Sequence, residues 1–168
     1  RLTGKAVRQP MGSTANRHGR VIADAIAGKK AEFKGVLGTA ILRLFEFTAG
    51  RTGLGVEAAR EAGFDPISVS IMNSDKPHFM PGSAPVILQI VADRSSGRIL
   101  GGQAFGAGDV SKRLDTLVAA ITGNMTIDDL ADADLAYAPP YSTALDPLTH
   151  AANTLRNKAE GMLKTYTP

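Results

Sequence analysis

Cysteine and tryptophan are both absent from this sequence, and aromatic residues make up only 5% of it. Without cysteine there is no disulfide, no thiolate zinc site and no cysteine nucleophile within these residues, so any thiol chemistry must be supplied from elsewhere. No apolar run approaches the ~20 residues that a helix needs to cross a bilayer, and a membrane partner is not expected. Net charge is small, +3, but unevenly placed: residues 1–60 carry eleven Lys and Arg against four Asp and Glu, and residues 61–168 carry eight against twelve. The first third therefore favours an anion. A polyanion-binding domain calls for a denser basic cluster with interleaved aromatics, so the sequence argues against nucleic acid. The opening RLTGKAVRQP is polar and holds neither an apolar signal segment nor an initiator methionine, and we expect a cytoplasmic chain drawn from inside a longer one.

What is present fits one globular domain with an appended segment: 168 residues, 43% hydrophobic and 21% charged. The stretch MGSTANRHGRVIADAIAG enters through Gly12, Ser13 and Thr14, repeats Val21, Ile22, Ala25 and Ile26 at helical spacing, and stops at Gly28. Simple N-capping by that Gly/Ser/Thr entry is the plainer reading; the positive end of the helix also suits a phosphate or an electron-rich carbonyl oxygen. VLGTAILRLFEFTAG reads as strand from its β-branched and aromatic content, and GVEAAREAG as a short helix ended by Gly63. PISVSIM, APVILQIVAD and GRILGGQAFG then form an antiparallel meander, the last two joined across DRSSG. VSKRLDTLVAAITGN places Leu114, Leu117, Val118 and Ile121 on one face of an amphipathic helix that packs on the sheet. Thr126 is a natural N-cap for a short acidic helix, and PLTHAANTLRNKAEGM resumes a helix with Leu148, Ala151, Ala152 and Leu155 on its apolar side. The fold class expected is α+β, with two layers.

The candidate chemistry is sparse. His18, His78 and His150 lie far apart without carboxylates at ligand spacing, so no metal site is expected. GAGDVSKR lacks the P-loop lysine pattern, and Lys112 and Arg113 read as surface or ion-pair residues. Asp128, Asp129, Asp132 and Asp134 lack the glycine turn and closing glutamate of a calcium loop and read as solvated helix charges. Asn16 either hydrogen-bonds a ligand or caps its helix. The segment LAYAPPYSTALDP stands apart. Its tandem prolines fix two φ angles and bias the residues before them toward extended backbone, so Tyr137 and Tyr141 sit on a stiff loop. A phenol donates a hydrogen bond to an oxyanion or thiolate and stacks on a planar ring, which fits a site or a subunit contact.

Six blocks, PMGSTANRHGRVIADAIAG, GVLGTAILRLFEFTAGRTGLG, HFMPGSAPVILQIVAD, GRILGGQAFG, DVSKRLDTLVAAI and LAYAPPYSTALDPLTHAAN, resemble in sequence and order the C-terminal part of the flavin-dependent pyridine nucleotide–disulfide oxidoreductases. The branch they resemble most is that of coenzyme A-disulfide reductase, NADH oxidase and persulfide reductase. The resemblance implies that residues 1–34 are the tail of a FAD-binding domain, 35–158 a dimerisation domain, and 159–168 a linker toward a possible rhodanese-like domain. Gly12, Ser13, Thr14 and Ala15 would then lie at the flavin, with Asn16 near the substrate. Tyr137 would reach across a homodimer to the partner's flavin and active thiol, as catalytic residue and cofactor contact.

By the same resemblance, the intact enzyme passes hydride from NAD(P)H through FAD to an upstream cysteine that reduces a small disulfide, persulfide or oxygen. This chain alone is expected to bind no cofactor and to turn nothing over. The alternative is a non-enzymatic self-association module. Departures from the coenzyme A-disulfide reductase pattern are Phe79, where a second tyrosine is usual, Asn16 where histidine is frequent, and Leu145 where lysine is frequent.

Overall fold

The computed structural model describes residues 1–163, which fall into two compact units, Arg1–Gly38 and the chain from Thr39 onward. In the first unit, helix α1 spans Gly12–Ile26. It ends in a left-handed Gly28 (φ 76°), with the Lys29 N–H returning to the Asp24 carbonyl at 2.9 Å, a closure that a β-carbon would strain. The segment after it folds back along the helix: Arg17 donates to the Gly35 carbonyl at 3.1 Å and lies over the Phe33 ring, against which His18 also packs.

The second unit is a five-stranded antiparallel sheet with its two long helices on one face. Its elements are β1 Ala40–Leu44, β2 Phe47–Gly53, α2 Val56–Glu61, β3 Pro66–Ser74, β4 Pro85–Asp93, β5 Ile99–Gly106, α3 Ser111–Thr122, α4 Ile127–Ala131 and α5 Pro147–Ala159. Strand order is β1-β2-β5-β4-β3, with every neighbouring pair antiparallel. The meander β3–β4–β5 forms as its turn-bounded runs predict. The stretch read as one strand is instead a hairpin, β1 and β2, reversing at Phe45 and Glu46 with Leu44 opposite Phe47. Phe45 takes φ 54°, unusual for a bulky residue, and no Gly, Asn or Pro marks the turn, so nothing local announced it.

Helix α3 lies over β2 and β5, and α5 over β3 and β4. The inward stripe expected of α3 is present: Leu114, Leu117 and Ile121 are at most 1% exposed, and Val118 is half-buried. Leu148, Ala151, Ala152 and Leu155 of α5 are fully buried, as are Val86, Leu88 and Ile90 of β4. Close approach of α3 needs a smooth sheet beneath it. A β-carbon at Gly102 would stand 2.8 Å from Leu117 Cδ1, and one at Gly50 2.7 Å from Leu114 Cδ2, so glycines carve the groove into which α3 settles. The opposite face carries Leu42, Ile87 and the stacked pair Phe47–Phe105, centroids 5.3 Å apart. Among the described residues, no helix is long and apolar enough to cross a membrane.

Candidate functional site

The tyrosine loop leaves α4 at residue 132 and re-enters helix at Pro147, with no regular structure between. Its geometry follows from local chemistry. Leading into the loop, α4 is started by Thr126, whose hydroxyl accepts from the Asp129 N–H while the Asp129 carboxylate accepts from the Thr126 N–H, the reciprocal cap expected of this spacing. Leaving it, Asp146 caps α5 by accepting from the Leu148 N–H at 2.9 Å, with Pro147 at the first helical position where its missing N–H costs nothing. Between them, the Ala138 carbonyl accepts from the Tyr141 and Ser142 N–H groups at 2.9 and 3.1 Å, making a tight turn over Pro139 and Pro140. Tyr137 and Tyr141 remain 51% and 71% exposed. Both rings are exposed on a turn built over the two prolines.

The anchor beneath this loop is a buried guanidinium. Arg113 of α3 is 1% exposed and uses its donors in every direction: Nε and Nη2 to the Asp146 carboxylate at 3.2 and 2.7 Å, Nη1 to the Asp109 carbonyl and Nη2 to the Asp75 carbonyl, each at 2.9 Å. It therefore ties the end of β3, the start of α3 and the cap of α5 at one point. Ser142 adds a hydroxyl bond to the same carboxylate at 2.8 Å. Burial pushes the Asp146 carboxyl up, but the Leu148 N–H, the Arg113 guanidinium and the Ser142 hydroxyl together outweigh it and hold it below the usual carboxylate range. Lys112 Nζ, more exposed, stands 3.4 Å from both the Asp146 carboxylate and the Ala136 carbonyl.

Of the two alternatives for Lys112 and Arg113, surface or ion pair, the structure takes the ion pair for both, with Arg113 in the core. The sequence carried a signal for this: Arg113 stands four residues before Leu117 and so on the inward face of α3. The GAGDVSKR segment satisfies itself. Asp109 accepts from the Lys112 N–H and the Ser111 hydroxyl, filling the helix start where a phosphate was considered. Among the described residues, no cluster of His, Asp and Glu could hold a metal. Asp128 and Asp132 are exposed and pair with Arg156.

Gly12, Ser13, Thr14 and Ala15 form the first turn of α1 within the other unit. They do not cap it. The N-cap position is Met11, extended and without a side-chain hydrogen bond, so the plainer reading of this entry gives way to an uncapped helix start. Asn16 does not cap it either: its Nδ2 donates back to the Gly12 carbonyl at 2.9 Å, one turn earlier. The first-turn N–H groups of α1 are therefore left without a side-chain acceptor from the cap.

Two concavities belong to the second unit. One of about 170 Å³ runs along the loop and is lined by Tyr137, Ser142, Leu145, Asp146 and Thr149 among others. The larger, about 450 Å³, lies on the sheet face opposite α3 and α5 and includes neither loop tyrosine. Size alone points away from the loop; the stiffened, anchored phenol points toward it, and we weigh the chemistry above the volume. Phe79, standing where the coenzyme A-disulfide reductase pattern usually has a second tyrosine, is 68% exposed and offers no hydroxyl.

Comparison with known proteins agrees with this layout. The family described as pyridine nucleotide-disulphide oxidoreductase, dimerisation domain, matches residues 39–148. A Pyrococcus furiosus NAD(P)H sulfur oxidoreductase (CoA-dependent) is 40% identical over 155 residues, covering 92% of this chain and 35% of that protein. A Staphylococcus aureus coenzyme A disulfide reductase is 34% identical over 138 residues, covering 82% of this chain and 31% of that protein. The solved structure of an NAD-dependent persulfide reductase from A. fulgidus superposes with a TM-score of 0.94 at 44% identity, covering 97% of this chain and 30% of that one. The chain thus spans about a third of the length of the relatives it matches. With the α+β sheet, its helical layer and the matched residues in agreement, the chain belongs to the pyridine nucleotide-disulphide oxidoreductase family, and residues 39–148 are its dimerisation domain.

Proposed function

We propose that this chain is the dimerisation module of a flavoprotein disulfide or persulfide reductase, and that it completes the active site of a second subunit with Tyr137. The supporting observation is the loop itself: a half-exposed phenol on a diproline turn, anchored to a buried ion pair, in a domain whose family is defined by dimerisation. In this reading residues 1–34 close a FAD-binding domain, 35–158 make the dimer, 159–168 lead outward, and the homodimer works in the cytoplasm on a small thiol, disulfide or persulfide. Residues 164–168 lie outside the described residues.

Family members work with FAD and NAD(P)H. The residues present fit a flavin edge: the uncapped first turn of α1, with Gly12, Ser13, Thr14 and Ala15, offers N–H groups and the positive end of a helix dipole to an electron-rich oxygen. When bound, FAD supplies the two-electron link between NAD(P)H and a cysteine outside these residues. The work of this chain is to bind, orient and donate. Tyr137 presents an O–H that donates to the sulfur or oxygen gaining negative charge as the acceptor bond breaks, and Asn16 contributes an amide to the substrate. With Leu145 in place of a lysine, the cavity beside Tyr137 carries no fixed cation at that position for a substrate phosphate.

The test is Tyr137→Phe in the flavoprotein that carries this chain. Turnover should fall about a hundredfold, the scale of losing one donor to a developing anion, with the dimer mass unchanged. A broken dimer whose subunits keep normal chemistry would instead assign the loop to self-association alone.

A further inference from the structure

Two prolines stiffen a chain but do not aim it. The loop from residue 132 to 146 belongs to no helix or strand, so the direction of Tyr137 must be set by whatever holds the peptides on either side of it. Those holds are present within one subunit. On one side, the Ala136 carbonyl accepts from Lys112 of α3 at 3.4 Å. On the other, the Ala138 carbonyl accepts from the Ser142 N–H at 3.1 Å, and the Ser142 side chain, 1% exposed, bonds to Asp146. Asp146 is 4% exposed and is itself locked by Arg113. The path from Tyr137 to the core is thus one turn, one hydroxyl and one ion pair, closed by a lysine from the same helix that supplies the arginine.

We propose that Lys112 and Ser142, acting through the Arg113–Asp146 pair, are positioning residues that fix the direction of Tyr137 within a single chain. The tyrosine is then preorganised before the partner subunit arrives and is not ordered by it. Preorganisation lowers the ordering cost of association and leaves the phenol at its working angle when the second subunit docks. The inference rests on the reading of Tyr137 as the residue that crosses the dimer, but its test measures loop order alone and needs no turnover.

These 168 residues lack tryptophan and hold three tyrosines, so Tyr141→Phe and Tyr166→Phe together leave Tyr137 as their only tyrosine emitter. In that background, with a cooperative melt as the check that the 168 residues fold by themselves, time-resolved anisotropy reads the mobility of the Tyr137 ring directly over a dilution series with mass followed by light scattering. The expected result is slow, overall tumbling for Tyr137 that persists on dilution to monomer. Ser142→Ala and Lys112→Met should each release at least half of the anisotropy to fast motion, Lys112→Arg should restore it, and Lys112→Met should leave the melting temperature within a few degrees. A merely structural role would move the melting temperature and not the local motion. Unchanged anisotropy in both Ser142→Ala and Lys112→Met, or fast motion that appears on dilution with Lys112 and Ser142 intact, would overturn the proposal. Either could occur with Tyr137→Phe still lowering turnover as expected, so failure here is distinct from failure of the functional reading.

Discussion

Changing Asp146 to asparagine keeps the shape of the α5 cap and removes the charge that faces Arg113. The arginine cannot give up its proton, so its positive charge stays buried with two backbone carbonyls and a neutral amide for company. Removing one partner of such a pair costs about 3–5 kcal/mol. Two features place this case near the lower end: the Asp109 carboxylate stands 3.8 Å from Nη1, and the amide oxygen of asparagine can still accept from Leu148. About 3 kcal/mol, in a chain of this size, corresponds to a fall of roughly 6–12 °C in melting temperature. Urea unfolding followed by circular dichroism at pH 7 measures it, together with Arg113→Met and the double variant. Because the double variant buries no lone charge, its loss should be smaller than the sum of the two single losses. A single-site cost under about 1 kcal/mol for Asp146→Asn, or strict additivity in the double variant, would refute the account of Arg113 as a buried staple. Acid gives a second reading of the same pair. The folded carboxyl is held below its ordinary range, so its contribution is complete above that range and disappears as pH falls through the depressed value. The acid limb of the unsubstituted chain should therefore be steeper than that of Asp146→Asn.

Two further outcomes follow from other parts of the fold. Asp93 closes the β4–β5 connection by accepting from the Ser95 and Ser96 hydroxyls, each at 2.6 Å, and from the Ser96 and Asp65 N–H groups at 3.1 Å; the Ser95 and Ser96 hydroxyls above all bring its carboxyl down to about 2. That linkage is worth about 2 kcal/mol, present above pH ~4 and lost on descending to pH ~2, so Asp93→Asn should flatten the change in urea midpoint across that interval; equal acid losses in both proteins would contradict it. At Gly53 φ is 66° and a β-carbon would stand 2.2 Å from the Leu100 carbonyl oxygen, backbone that has nowhere to move. Gly53→Ala should cost about 3 kcal/mol in the same assay, from left-handed strain and overpacking together, and a cost below about 1 kcal/mol would show that β2 and β5 need not approach this closely.

Much of the fold was legible because its causes are local. Strand runs bounded by turn residues marked β3, β4 and β5, an apolar stripe at helical spacing marked α3 and α5, and Thr126 marked the start of α4 through hydrogen bonds made within four residues. The β1–β2 turn was not legible, because Phe45 enters left-handed backbone without any residue that prefers it. Nor was the bare start of α1: Ser13 and Thr14 are good caps, but the helix begins one residue before them, and their side chains no longer stand where capping is possible.

The candidate site divides along the same line. By itself the sequence determined that Tyr137 sits on a stiff, exposed segment, since proline restricts φ wherever the chain goes, and that no thiol in these residues could react, since there is none. Only the tertiary structure decided what aims that tyrosine. Arg113 and Asp146 are separated by 33 residues, and nothing in either neighbourhood names the other. They meet because α3 settles into the glycine groove of β2 and β5 while α5 packs on β3 and β4, which brings a helix face and a helix cap together in a space from which water is excluded. Once the guanidinium is there, its donors must all be satisfied, and the loop that carries Tyr137 is held because satisfying them requires it.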